Sequence, residues 1–233
     1  MFELSRFSAS SFEEFAQTLA MSVIGPEMKV FGSGPDGARE ASYDGNLTIG
    51  GKQWSGYTVI QAKYKARLSG DYRDADWLSQ QLKAEQAKFF SKRRGLRRPD
   101  NYILVTNVRL SSVQSGVGRR AKGKGGQEKV DDCFLKWTRL GLSNFDVWHA
   151  DKINVMLNGN EQIRRRFACW VTPGDVLNDA LSRIGAPQAQ NTILRSIQRN
   201  IKSDRDPKKR DTGQVTAKRI YLDRIFIDLP VQP

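Results

Sequence analysis

Three short runs, Gly56–Tyr64 (GYTVIQAKY), Tyr102–Val108 (YILVTNV) and Phe145–Ala150 (FDVWHA), are separated by stretches whose apolar residues recur at helical spacing. This alternation constrains the chain more than any other feature. Strands that follow one another through helices cannot be joined as hairpins, so the pattern predicts an α/β sheet with parallel members. At the N-terminal end, Ser11 with Glu14 reads as a capping box opening a helix, and Phe12, Phe15, Ala16, Leu19 and Val23 form its apolar face. Gly25-Pro26 ends that helix. A glycine-rich turn, FGSGPDGARE, leads into ASYDGNLTI, read as one strand, with Gly50-Gly51 as the next turn. Residues 74–92, through Trp77, Leu78, Leu82 and Phe89, and residues 127–140 are the other two helices expected around the sheet.

The texture changes near Thr172. PGDVLNDALSRIG and TILRSIQRNIK read as short helices, residues 195–211 are dense in charge, and the chain closes on IYLDRIFIDLPV. The expected organisation is a core domain over 1–170 and a helical or linking segment over 171–233. No apolar run approaches the roughly 18 residues of a membrane span, and MFELSRFSASSFEEF is no signal peptide. With two distant cysteines and no disulfide framework, the expectation is a cytoplasmic protein with no membrane partner.

Composition narrows the chemistry. One histidine, His149, excludes sites needing two imidazoles, and Cys133 with Cys169 supplies no zinc-ligand spacing. The 38 Lys+Arg against 25 Asp+Glu give a net charge of +13, which favours a polyanion such as nucleic acid. The charge is uneven: residues 1–60 hold four bases and seven acids, a net of −3, leaving +16 for the remainder. Acids near the start that hold a metal, with bases elsewhere that grip phosphates, would produce this division; an acidic surface would produce it equally.

Two phosphate-binding motifs fail on inspection. Gly32-x-Gly34-x-x-Gly37 has the letters of a dinucleotide fingerprint, but Pro35 removes an amide, no helical periodicity follows, and the region of Tyr57 lacks the required acid. Gly51-Lys52 and Gly123-Lys124 continue into Gln53 and Gly125, so neither is a Walker A loop.

The chemistry-bearing set is Asp36, Glu40, Gln61 and Lys63. Gln61 and Lys63 are two apart on a strand and project from one face, while the acids precede them where a hairpin would bring them alongside. Carboxylates with an amide oxygen make a hard oxygen site suited to Mg²⁺. A lysine ammonium beside it can position an attacking water and offset charge in a phosphoryl transition state.

GPDGAREASYDG followed by GYTVIQAKYK resembles the PD-(D/E)xK nucleases of the Mrr-like restriction-endonuclease branch, where the last half-motif is commonly QxK. FGSGPDGARE with YILVTNVRLS downstream is closer still to the nuclease effector domains at the N-terminus of bacterial antiviral STAND NTPases. The resemblance covers roughly residues 10–170. It implies a restriction-endonuclease-like mixed sheet flanked by helices, and Mg²⁺- or Mn²⁺-dependent cleavage of double-stranded DNA with low sequence specificity. Lys63 would be the catalytic lysine and Gln61 a metal-side ligand. Asp36 matches the "PD" letters and Glu40 the second acid of the Mrr-like pattern, with Glu40 weighted as the direct ligand. Gln61 stands where the wider family has an acid, and Glu13 on the first helix is the carboxylate that could compensate. The resemblance also implies a homo-oligomer when active, and a STAND NTPase or sensor region that is missing or separate.

The basic runs Lys92/Arg93/Arg94/Arg97/Arg98, Arg119/Arg120/Lys122/Lys124 and Arg164/Arg165/Arg166 are candidate DNA-backbone clamps, each with a solvated face as its ordinary alternative. Tyr64 and Trp54 are read as core residues rather than stacking platforms. The rival to a nuclease is a non-catalytic nucleic-acid-binding module on the same fold.

Overall fold

The computed structural model describes residues 2–31, 39–91, 93, 95–112, 124–139 and 141–171. The helices and strand foreseen beyond Thr172 lie outside the described residues, as does the glycine-rich turn with Asp36. Along the chain come α1 (Ala9–Ile24), β1 (Lys29–Val30), β2 (Ala41–Asp44), β3 (Leu47–Ile49), β4 (Lys52–Trp54) and β5 (Tyr57–Lys63). Then follow α2 (Tyr72–Phe90), β6 (Asn101–Thr106), α3 (Gly126–Thr138), β7 (Asn144–Trp148), α4 (Ala150–Asn158), α5 (Glu161–Arg166) and α6 (Ala168–Val171).

Five strands form one mixed sheet in the order β1-β2-β5-β6-β7. The β1–β2 and β2–β5 pairs are antiparallel, whereas β5–β6 and β6–β7 are parallel. The parallel pairs are the ones connected through α2 and α3, as crossover connections require. The expected α/β sheet flanked by helices is therefore present. ASYDGNLTI is not one strand: it divides between β2 and β3, and β3 pairs with β4 as a separate hairpin, Leu47 opposite Trp54. The division falls at Gly45, whose amide bonds the Gly56 carbonyl while the Gly56 amide returns the bond. Gly56 has φ +94°, and a Cβ there would come within 2.6 Å of the Asp100 carboxylate, which accepts the Tyr57 amide at 2.8 Å and so fixes where β5 begins.

Each face of the sheet carries its own core. Ile60 and Ala62 of β5 pack with Phe12, Phe15, Ala16 and Leu19 of α1 and with Ile153, Leu157 and Phe167 of the C-terminal helices. Tyr57 and Val59 pack on the other face with Leu78, Leu82 and Phe89 of α2 and Phe134 and Trp137 of α3. Trp54 is a core residue, and half-buried Tyr64 packs on Phe12 with its hydroxyl on the Ser5 carbonyl, as read from sequence. The ends of the described domain meet, the Glu3 amide bonding the Val171 carbonyl at 3.0 Å. No helix among the described residues is long and apolar enough to cross a membrane.

The start of α1 differs from the sequence expectation. Ser8, not Ser11, is the N-cap: its Oγ accepts the Ser11 amide at 3.1 Å, and Ser11 Oγ accepts the Ser8 amide at 2.8 Å. The box thus closes with serine at both positions. Glu14 points to solvent and pairs with Arg166 at 2.8 Å. Val23, placed on the apolar face by periodicity, is 41% exposed, and Ala20 takes its place in the core. Replacing Ser8 by alanine removes one side of the box and is expected to cost about 1 kcal/mol, read as a lower denaturant midpoint at unchanged slope.

Candidate active site

The parity of β5 sorts its side chains. Because Ile60 and Ala62 face α1, Gln61 and Lys63 face α2, side by side as the spacing predicted. The Ala41–Ile60 pairing and the bond from the Glu40 amide to the Ile60 carbonyl (3.0 Å) set Glu40 opposite Gln61, just before β2. The two side chains meet: Gln61 Nε2 donates to Glu40 Oε1 at 2.6 Å. Both residues are buried, Glu40 at 6% and Gln61 at 3% exposure. Since the amide nitrogen faces Glu40, Gln61 Oε1 points elsewhere, and among the described residues this buried oxygen accepts no hydrogen bond.

Lys63, one pleat further on, does not turn to Glu40. Its ammonium lies 2.6 Å from Oε1 of Glu85, a carboxylate on α2 only 2% exposed. Lys88, one turn along α2, reaches the same oxygen at 2.7 Å. Glu85 was missed in the sequence, yet it left a trace: it interrupts the α2 stripe Leu78, Leu82, Glu85, Phe89, where an apolar residue is expected. Tyr102 of β6 ties the two carboxylates to one buried region. Burial, followed by the charges of Glu85 and Glu40, pushes its phenol well above the ordinary tyrosine range.

The other predicted site residues distribute unevenly. Glu13 is half-buried on α1, the helix covering the opposite face of the sheet. Its helix nevertheless addresses the site from behind: Gln17, one turn later, donates Nε2 to the carbonyls of Phe31 (2.8 Å) and Glu40 (3.3 Å). Asp36 lies outside the described residues, among which no group of three or more His, Cys, Asp or Glu could hold a metal. What the structure brings together is Glu40, Gln61, Lys63 and Glu85. A carboxylate and an amide oxygen are donor types suited to a hard divalent cation, but here the Gln61 nitrogen, not its oxygen, faces Glu40.

Of the basic runs, one reaches Tyr57, at the start of the strand that carries Gln61 and Lys63. Arg39, next to Glu40, donates Nη1 to the Tyr57 hydroxyl at 2.5 Å and lies over the Phe31 ring at 4.6 Å. Arg97 stacks on the Tyr57 ring at 4.2 Å and pairs with Asp44, and Arg98 covers Phe90 at 4.6 Å. Arg93 is exposed. The hydrogen bond and charge of Arg97 hold the Asp44 carboxyl below its usual range. Lys92, Arg94, Arg119, Arg120 and Lys122 lie outside the described residues. Lys124, just before α3, is paired with Asp132 in the middle of that helix, with Glu128 at 3.9 Å.

The run Arg164–Arg166 has structural partners instead. Arg164 Nη1 caps α4 through the carbonyls of Leu157 (2.5 Å) and Asn158 (2.6 Å), Arg165 pairs with Glu161 at 2.6 Å, and Arg166 with Glu14. His149, the N-cap residue of α4, is held below its normal pKa by burial, consistent with a neutral structural imidazole.

No protein-family model, curated protein or solved structure matches this chain. The class defined by its own architecture is an α/β domain with a five-stranded mixed sheet and helices on both faces.

Proposed function

We propose that this domain is a Mg²⁺-dependent endonuclease acting on double-stranded DNA, built on a restriction-endonuclease-like fold. The observation that carries the reading is the Glu40–Gln61 contact at the end of an antiparallel pair, with Lys63 next on the same face. Glu40 and the Gln61 Oε1 would hold the cation, with Asp36, outside the described residues, as the further carboxylate that the sequence resemblance implies. A bound Mg²⁺ polarises a phosphoryl oxygen and lowers the pKa of a coordinated water. The chain's own residues do the rest. Metal binding by both residues would take a turn of the Gln61 amide that brings its oxygen beside the Glu40 carboxylate, and Lys63 would offset charge on the phosphate. Arg39, next to Glu40, and Arg97 both contact Tyr57, and Arg98 lies over Phe90; these three guanidiniums are suited to phosphate oxygens.

The antiviral effector role, a cytoplasmic setting, oligomeric activation and coupling to a STAND NTPase or sensor region are part of the same proposal, supported by the FGSGPDGARE and YILVTNVRLS resemblance. The test is plasmid incubated with protein and Mg²⁺, against EDTA and Lys63→Ala controls. Nicking or linearisation that both controls abolish is the expected result; cleavage that survives both contradicts the mechanism. The engagement of Lys63 by Glu85 favours a second reading, a non-catalytic duplex-binding module, whose affinity would ignore both Mg²⁺ and Lys63→Ala. For these guanidiniums, Arg97→Ala with Arg98→Ala is expected to lower the slope of log affinity against log salt by about 2, with equal loss across unrelated sequences, read by fluorescence anisotropy.

A further inference from the structure

We infer that Glu85 is a positioning residue for Lys63, an inference that rests on the nuclease reading above. A carboxylate inside the apolar stripe of α2 needs a reason, because a leucine there would complete the stripe and avoid desolvating a charge. Among the described residues its partners are ammoniums: Lys63 at 2.6 Å and Lys88 at 2.7 Å, both on Oε1. Lysine ends a flexible four-carbon stem, so a strand position alone fixes its Cα and leaves its ammonium free to wander. Glu85 closes that freedom from across the helix–sheet interface and holds the Lys63 ammonium on the α2 face, where Gln61 also projects.

The charge balance fits positioning rather than neutralisation. Glu85 with Lys63 alone would cancel, and a cancelled lysine does little for a phosphate. Lys88 on the same oxygen leaves the three groups with one net positive charge. Glu85 Oε2 is buried and has no hydrogen-bond partner among the described residues, so the carboxylate is oriented entirely through its Oε1 ammoniums.

The test uses protein labelled with ¹⁵N at lysine, together with plasmid cleavage and Mn²⁺ binding. The wild type should show a slowly exchanging Lys63 ammonium resonance, assigned by its loss in Lys63→Ala. Glu85→Gln, of the same shape without the charge, should lose that resonance and lower kcat about 10- to 100-fold, with KM for DNA and Mn²⁺ affinity unchanged. Glu85→Asp should restore part of both; it also covers the case in which Glu85→Gln fails to fold, judged by circular dichroism. Wild-type kcat in Glu85→Gln, or a loss confined to KM, would overturn the positioning role while leaving the nuclease reading intact. A wild type that binds no Mn²⁺ and cuts no DNA would instead end the reading on which the role depends.

Discussion

Lys63→Ala should reduce Mg²⁺-dependent cleavage by about 10³-fold, with duplex affinity and melting temperature little changed. The size follows from where the ammonium sits. Its side chain is 16% exposed, shielded by α2, so its charge acts on a phosphate with less screening than a surface lysine would. The small effect on affinity follows because Arg97 and Arg98 lie outside this contact and are untouched by the substitution. Stability should change little because Lys88 remains on Glu85 and keeps that carboxylate paired. Lys63→Arg should not rescue: the planar guanidinium is larger than the ammonium that fits between β5 and Glu85. Single-turnover cleavage with binding measured separately distinguishes this from a loss of DNA.

Glu40→Gln should weaken Mn²⁺ binding by at least about 10- to 100-fold and abolish cleavage at moderate metal concentration. The substitution preserves shape in a position only 6% exposed, so no cavity opens. What it removes is the carboxylate charge and a well-defined acceptor for Gln61 Nε2. Raising Mn²⁺ should recover part of the activity in Glu40→Gln and none in Lys63→Ala. That contrast separates a residue that holds the cation from one that acts on the phosphate. Electron paramagnetic resonance of free Mn²⁺ gives the affinities directly.

The parts of the site that lie within one strand were legible in the sequence. Gln61 and Lys63 share a face because strand parity alone demands it, and the helices α2 and α3 announced themselves through Leu78, Leu82 and their partners. The approach of Glu40 to Gln61 matches the hairpin expected between the acids and the strand of Gln61 and Lys63, since β2 and β5 pair antiparallel. Glu85 was not legible, because its partner Lys63 belongs to another element and an acid on a helix ordinarily reads as solvent-facing. Only its place in the apolar stripe distinguished it. The β3–β4 hairpin was hidden because Gly45-Asn46 lies inside a run whose flanks both alternate as strand. At α1 two serines competed for the cap, and Glu14, at the right distance from Ser11, imitated the box that Ser11 in fact completes with Ser8. The Arg164–Arg166 run, a candidate clamp with a solvated face as its alternative, has ion-pair and capping partners that its charge alone did not disclose. Its charge suggested a DNA clamp, while α4 needed its C-terminal carbonyls capped and Glu14 and Glu161 offered partners.

Anomalous scattering from a crystal of the domain soaked in Mn²⁺ would locate the divalent cation that Glu40 and Gln61 are proposed to hold. A single strong peak is expected within coordination distance, about 2.0–2.3 Å, of the Glu40 carboxylate and Gln61 Oε1, with its loss in Glu40→Gln. A peak elsewhere with none against Glu40 would contradict that proposal.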